Sequence, residues 1–301
     1  MPLPTVNINS ILTENLTLWP EIFTIMKDIL KYDPVSRKTV EDIVKPLRTY
    51  FAPQIFGWGN VDKDKPALYV TNHTIYGACD GTLISGEMFL QKDILMRALV
   101  DDFHYKIPYW SDFLEKFGAV QGSRENCHTL MEGGEHIIVY PGGGREVARK
   151  KGEAHKLTWK TRTGFARMAM AHGYPIVPLA QVGGDDAYTI IADSNDLAES
   201  AIGKFLFRNS KVLNYMFKDK DHVWPLAKGL GITGLPKPVK LYFSFGAAID
   251  TTPWKGKEDN DEAAWELREA VESCLNEQID DLVEFKEKDP DKGLLRKWLT
   301  E

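Results

Sequence analysis

Residues 69–84 read YVTNHTIYGACDGTLI, and the change of character inside this stretch decides the fold. The run 67–72 (ALYVTN) has the apolar, β-branched composition of a buried strand, and 81–91 has the character of a helix. Between them lies a polar loop holding His73 and, seven residues on, Asp80. A strand, a loop and a helix are half of a βαβ unit, and the alternation continues outward.

Towards the C-terminus, 93–100 (DILMRALV) reads as a strand and 108–118 as a helix. A short strand follows in AVQG, then a helix in RENCHTLMEGG. The run 136–140 (HIIVY) is a strongly β-branched strand, and 158–173 is a clear helix ended by Gly173. Beyond it, 175–183 reads as a buried strand, 197–217 mainly as helix, 239–249 as an alternating strand, and 261–287 as a long charged amphipathic helix. Towards the N-terminus, 39–51 is helical and runs into the turn-rich FAPQIFGWGN. Residues 16–31 carry apolar groups at helical spacing, with Pro20 in the first turn. The pattern predicts an α/β fold: a mostly parallel sheet flanked by helices on both faces, with an N-terminal helical layer. No linker, repeat or low-complexity segment divides it. The expectation is one domain, with 1–60 a helical segment packed on 61–301.

Composition narrows the class. The chain has 301 residues, 43% hydrophobic and 27% charged, with 37 basic against 43 acidic side chains and a formal charge of −6. That balance argues against general nucleic-acid binding. Three widely spaced cysteines without a CxxC pair indicate neither a zinc ribbon nor a disulfide framework, and fit a reducing cytosol. The first residues, MPLPTVNINS, lack the features of a signal peptide, and no run of about 18 apolar residues occurs. The expected location is cytoplasmic, peripheral to a membrane if the substrate is a lipid. Residues 16–31 and 204–220 (KFLFRNSKVLNYMFKDK) suit either core packing or interfacial contact.

In an open α/β sheet, sites gather in the loops after the carboxyl ends of strands. Four such loops are unusual: the one with His73 and Asp80; GAVQGSREN, where Arg124 opens a helix; YPGGGREVARKKGEAHK; and VPLAQVGGDD. A histidine in a polar loop can take a proton near neutral pH, and a carboxylate can orient it. The same two residues could equally be a strand terminator and a helix cap. In the third loop, Gly142, Gly143 and Gly144 let backbone amides approach a ligand. Seven basic residues and two acidic ones lie between Arg145 and Arg162, so this stretch is either a solvated face or an anion site. Arg124 is placed where helix N-terminal amides also favour an anion. The seven histidines show no metal-binding spacing such as HExxH.

NHTIYGACDG, GAVQGSRE, YPGGGRE and PIVPL, in that order, resemble the four signature blocks of the glycerolipid and lysophospholipid acyltransferase superfamily, over roughly 65–250. The stretch 161–188 and the later WPLAKGLGITGLPKPVKLYFSFGAAID look like the mono- and diacylglycerol acyltransferase branch, which includes plant phytyl-ester synthases. The resemblance implies transfer of a fatty acyl group from acyl-CoA or acyl carrier protein to a lipid hydroxyl, with no cofactor. His73 would be the base and Asp80 its partner. The amides of Gly142–Gly144 would meet the oxyanion, and Arg124 and Arg145 would bind phosphate of donor or acceptor. Two departures stand out. Six residues separate His73 from Asp80, where most of the superfamily has four. Gly142 stands where many members that act on phosphorylated acceptors have a glutamate, which leans towards a neutral acceptor, with Glu146 close enough to compensate. Phospholipid-type acceptors such as lysophosphatidate remain an alternative. So do a hydrolase of lipid esters or thioesters, although no GxSxG elbow is present, and a non-catalytic lipid-binding protein. Oligomeric state is not legible.

Overall fold

The computed structural model describes residues 29–31, 33–105, 109–200, 204, 223–290 and 296. The chain enters through helix α1 (Arg37–Phe51), started by the Ser36 side chain, which accepts from the Thr39 amide. Strand β1 (Gln54–Phe56) follows, then β2 (Leu68–Thr71), α2 (Ala78–Lys92) and β3 (Arg97–Val100). Next come α3 (Trp110–Lys116), β4 (Val120–Gln121), α4 (Arg124–Glu132) and β5 (Ile137–Val139). After a single turn α5 (Gly144–Val147) come α6 (Gly164–His172), β6 (Ile176–Val182), and a two-stranded ribbon of β7 (Thr189–Ala192) with β8 (Leu226–Lys228). Strand β9 (Tyr242–Phe245) and the long helix α7 (Asp261–Lys288) complete it.

Seven strands form one sheet in the order β1-β9-β6-β2-β5-β3-β4. All neighbours are parallel except β6 and β9, which run antiparallel. The α/β, mostly parallel reading therefore holds. Strand β2 is buried at all four positions because both faces of the sheet are covered. Leu68 and Val70 point into a core built with α4, α6 and α7, through Leu130, Met170 and Leu275. Tyr69, one residue out of phase, points into the opposite core with Val44, Leu83 and Met88 of α1 and α2. The period-2 alternation of a strand is what divides one apolar run between two cores. Each fully buried Leu, Val or Met side chain there stabilises the fold by roughly 1.5–3 kcal/mol.

Three differences from the sequence reading have local causes. The turn-rich stretch 51–60 contains β1, an edge strand that pairs with β9, so the segment before residue 60 contributes to the sheet as well as a helix. Helix α2 starts at Ala78 rather than 81, because Tyr76 and Gly77 take successive left-handed conformations (φ +61° and +53°) that end the loop early. The ribbon β7–β8 was not anticipated; Thr189–Ala192 is too short and too exposed to stand out by pattern. The helices expected over 16–31 and 197–217 lie almost wholly outside the described residues. Among the described residues, no helix is long and apolar enough to cross a membrane.

Candidate active site

The site forms at the carboxyl end of β2, where the strand is pinned before the loop begins. Asn72 Nδ2 donates to the Gln181 carbonyl of β6 (2.9 Å), and the Gln181 amide donates back to Asn72 Oδ1 (2.9 Å). The next residue, His73, is held at both ends of its own peptide unit. Its amide donates to Glu146 Oε2 (2.8 Å), and its carbonyl accepts from Arg149 Nη2 (2.5 Å).

Those two partners are themselves buried. Glu146, 0% exposed, accepts a second amide from Thr158 (2.8 Å), and burial pushes its carboxyl above the usual range. Arg149, 2% exposed, also donates to the carbonyls of Glu153 and Lys156, and its Nε lies 2.9 Å from Asp185 Oδ1. Asp185 accepts the Ile75 amide (2.8 Å) and the His155 amide (2.9 Å). A Glu–Arg–Asp set thus ties the His73 loop to the glycine loop and to the loop after β6. Buried charges are tolerated there because Arg149 is paired with Asp185 and Glu146 accepts two backbone amides.

The His73 ring is half-buried. Its Nδ1 is buried and has no hydrogen-bond partner among the described residues. The ring stacks on Tyr140, with centroids 3.8 Å apart and planes 15° from parallel. Burial, with the charges of Arg149 and His104 adding, pushes its pKa down to about 3. The imidazole is therefore neutral at physiological pH, the form that accepts a proton.

Asp80 is where the expected pairing and the structure part. It is 3% exposed, in the first turn of α2, and accepts from the Thr74 hydroxyl through Oδ2 and from the Gly81 amide through Oδ1 (2.9 Å). It makes no hydrogen bond to His73. Burial raises its pKa, and the two hydrogen bonds only partly offset that. The six-residue spacing puts the carboxylate on the residue next to His73 rather than on its ring.

The glycine loop follows β5. A side chain at Gly142 would collide with Glu146: its Cβ would fall 2.0 Å from Cδ and 2.4 Å from Oε2. The Glu146 carboxylate occupies the space into which a residue at 142 would project, which is how the chain accommodates the glycine. The amides of Gly142 and Gly144 enter no hydrogen bond within the described residues, while that of Gly143 donates to the Tyr140 carbonyl (2.9 Å). Arg162 lies on this loop, donating through Nη1 to the carbonyls of Pro141 (2.8 Å) and Gly142 (2.5 Å).

The basic stretch divides by depth. Arg145, expected to bind phosphate, is 7% exposed and donates to Glu153 Oε1 (2.5 Å). Its counter-charge comes from eight residues along its own loop, a partner that charge counting could not assign. Lys150 and Lys151 sit outside, on Asn195 and Asp196. Arg124 stands exposed at the start of α4, whose cap is Ser123. Nothing in the sequence singles out Tyr140 or Asp185, although Asp185 lies in the fourth unusual loop, and Arg149 is there one of seven basic residues of a stretch that suits a solvated face or an anion site. Beside the site, a cavity of about 30 Å³ is lined by Thr74, Asp80, Tyr188 and Leu241, room for water rather than a fatty chain. Among the described residues, no group of three or more His, Cys, Asp or Glu could hold a metal ion.

The profile of the Acyltransferase family matches residues 54–182, the span from β1 to the end of β6 that contains the His73 loop and the glycine loop. Phytyl ester synthase 2, chloroplastic, from Arabidopsis thaliana is 30% identical over 277 residues, covering 88% of this chain and 38% of that protein. The human DGAT1/2-independent enzyme synthesizing storage lipids is 33% identical over 128 residues, covering 42% of this chain and 38% of that protein. The chain thus spans well under half the length of these two relatives. Among solved structures, the 1-acyl-sn-glycerophosphate (LPA) acyltransferase PlsC from Thermotoga maritima superposes with a TM-score of 0.51 at 17% identity, over 82% of this chain and 79% of that one. That likeness shows a shared fold.

Proposed function

The chain carries an acyltransferase-family domain over residues 54–182, and from that premise we propose that it moves a fatty acyl group from a thioester to the hydroxyl of a neutral lipid alcohol. The observation that carries this reading is His73: neutral, half-buried, and fixed at both ends of its peptide at the carboxyl end of a central strand. His73 takes the proton of the acceptor hydroxyl as its oxygen attacks the thioester carbonyl carbon. The tetrahedral intermediate carries its charge on the former carbonyl oxygen, for which the Gly142 and Gly144 amides, unused by other partners among the described residues, are the donors in this reading. Collapse breaks the C–S bond, and the imidazolium returns the proton to the leaving thiolate. Asp80 acts through Thr74, holding the loop that presents the base.

Two features support a neutral acceptor. Arg145, one of the two arginines the resemblance would give to a phosphate, is already matched by Glu153, while Arg124 stays exposed. Phytyl ester synthase 2, aligned over 88% of this chain, is named for making phytyl esters. The donor, acyl-CoA or acyl carrier protein, delivers the acyl group as a co-substrate, and no metal takes part in the steps above.

We also propose contact with a lipid surface. Leu226 and Ile191 on the β7–β8 ribbon, Trp224 before it, and Ile232 and Leu235 after it are all at least half exposed. This ribbon is tied to the His73 loop, since the Tyr76 hydroxyl donates to the Pro225 carbonyl (2.7 Å). Large apolar groups beside a site for lipids suit an interface.

The decisive assay incubates the protein with radiolabelled acyl-CoA and, separately, diacylglycerol, monoacylglycerol, long-chain alcohol, lysophosphatidate or no acceptor. Ester formation on a neutral alcohol, lost in His73→Ala with folding intact, is expected. Turnover only on lysophosphatidate would overturn the acceptor class. Release of free fatty acid at the same rate without an acceptor would make the protein a hydrolase, and full activity of His73→Ala would remove the base.

A further inference from the structure

His73 and Tyr140 come from adjacent parallel strands. Strand β2 pairs with β5 in the register Val70 to Val139, so the two chains leave the sheet side by side, one with the histidine and one with the tyrosine. The result is the parallel stack already described, at 3.8 Å and 15°. A second surface blocks the ring at its edge. Gly77 has φ +53°, and a Cβ added there would fall 2.7 Å from His73 Nδ1 and 3.1 Å from Cε1. The turn of the loop therefore closes on the Nδ1 edge, in a space that only a glycine leaves open. Meanwhile the carboxylate nearest in sequence is engaged elsewhere, by Thr74 and the Gly81 amide. Among the described residues, no hydrogen bond to a side chain sets the angle of the imidazole.

We propose that Tyr140 is the positioning residue for the base: its ring face, together with the Gly77 turn, sets the orientation that a carboxylate would otherwise set. This rests on the reading of His73 as the base. A flat neighbour prevents rotation about the Cβ–Cγ bond, which a hydrogen bond at Nδ1 would also do. It does something further when the proton arrives. The imidazolium that forms as the acceptor oxygen attacks lies over the electron-rich face of the phenol ring, and such a contact favours the cation. The stack is thus stronger in the transition state than in the resting enzyme, the condition for raising kcat rather than lowering KM. It is the ring, not the hydroxyl, that does this.

The test compares Tyr140→Leu, Tyr140→Met and Tyr140→Phe with the parent, measuring kcat and KM for donor and acceptor and the melting temperature of each. Leu and Met fill the space without a flat face. They should lower kcat roughly 3- to 30-fold with KM for both substrates nearly unchanged, and Tyr140→Phe should recover most of that loss. Gly77→Ala, which presses on the Nδ1 edge, should also lower kcat. If Leu folds poorly, Met and the Gly77 variant carry the comparison. Unchanged kcat in Leu and Met overturns the proposal, and so does a Phe variant as slow as Leu, which would place the effect in the hydroxyl. A parallel rise in KM with an unchanged kcat would make Tyr140 part of the substrate wall. His73→Ala separates the two layers: if it keeps full turnover the base itself is wrong, whereas a dead His73→Ala beside a fully active Tyr140→Leu defeats only the positioning role.

Discussion

Asp80 has two neighbours, and neither is the imidazole. An asparagine there still offers an oxygen to one donor, and the Thr74 hydroxyl can reverse its role towards the amide nitrogen. Asp80→Asn should therefore lower kcat by less than about tenfold, whereas losing a direct acid–base partner costs roughly 10²–10⁴; steady-state kinetics on a neutral acceptor decides between them. The protonation of His73 makes a second prediction. Its pKa of about 3 lies below the model-compound value of 6.5, so the free protein keeps the imidazole neutral as pH falls through 6.5. The profile of kcat/KM should show no acidic limb near pH 6.5 attributable to this group. The same shift has a stability consequence. The unfolded chain binds the proton first, so the contribution of His73 is fully present above about pH 6.5 and is lost progressively as pH falls towards 3. Urea midpoints measured from pH 7 to 4 should fall less steeply for His73→Gln than for the parent. The residue types of the candidate site were legible in the sequence: a loop histidine, the glycine loop and the basic stretch. Partners were not, because Glu146, Arg149 and Asp185 reach the His73 loop across 73, 76 and 110 residues of chain.

At the scale of elements, strands with buried β-branched runs announced themselves. Ile137–Val139 and Ile176–Val182 are buried throughout, so a periodicity of one residue type sufficed. Edge and surface elements did not. Gln54–Phe56 is a strand because Tyr242–Ser244 offers it a ladder, and nothing in its own three residues requires that. The loops between elements are held by charge rather than apolar packing, which explains why Arg145 and Arg149 looked like ligands for an anion. Arg149→Met removes the donor to the His73, Glu153 and Lys156 carbonyls and leaves Asp185 without its cation. We expect a loss of about 3–5 kcal/mol, read by urea unfolding, together with loss of activity. Truncation in the apolar core should act differently. Ile279→Ala on α7, at 1% exposure, should cost about 2–5 kcal/mol while leaving the KM of folded protein unchanged.

For the molecule as a whole, one face carries the exposed apolar ribbon and the loop after it, with Ile232 at 95% and Leu235 at 64% exposure. If this face meets lipid, the parent should sediment with vesicles containing anionic lipid, and Ile232→Ser with Leu235→Ser together should reduce the bound fraction without lowering turnover of a short-chain soluble acceptor. Equal sedimentation of parent and double variant would place the contact elsewhere. The fold class and the strand–loop–helix order that puts His73 after a buried strand were determined by sequence alone, because burial on both faces leaves local patterns. The strand order, the antiparallel entry of β9, the stack of Tyr140 on His73 and the assignment of Asp80 to Thr74 were decided only by tertiary structure. They depend on which strands lie side by side and on how a loop two residues longer redirects one carboxylate, and neither distance nor direction across the chain is encoded in spacing along it.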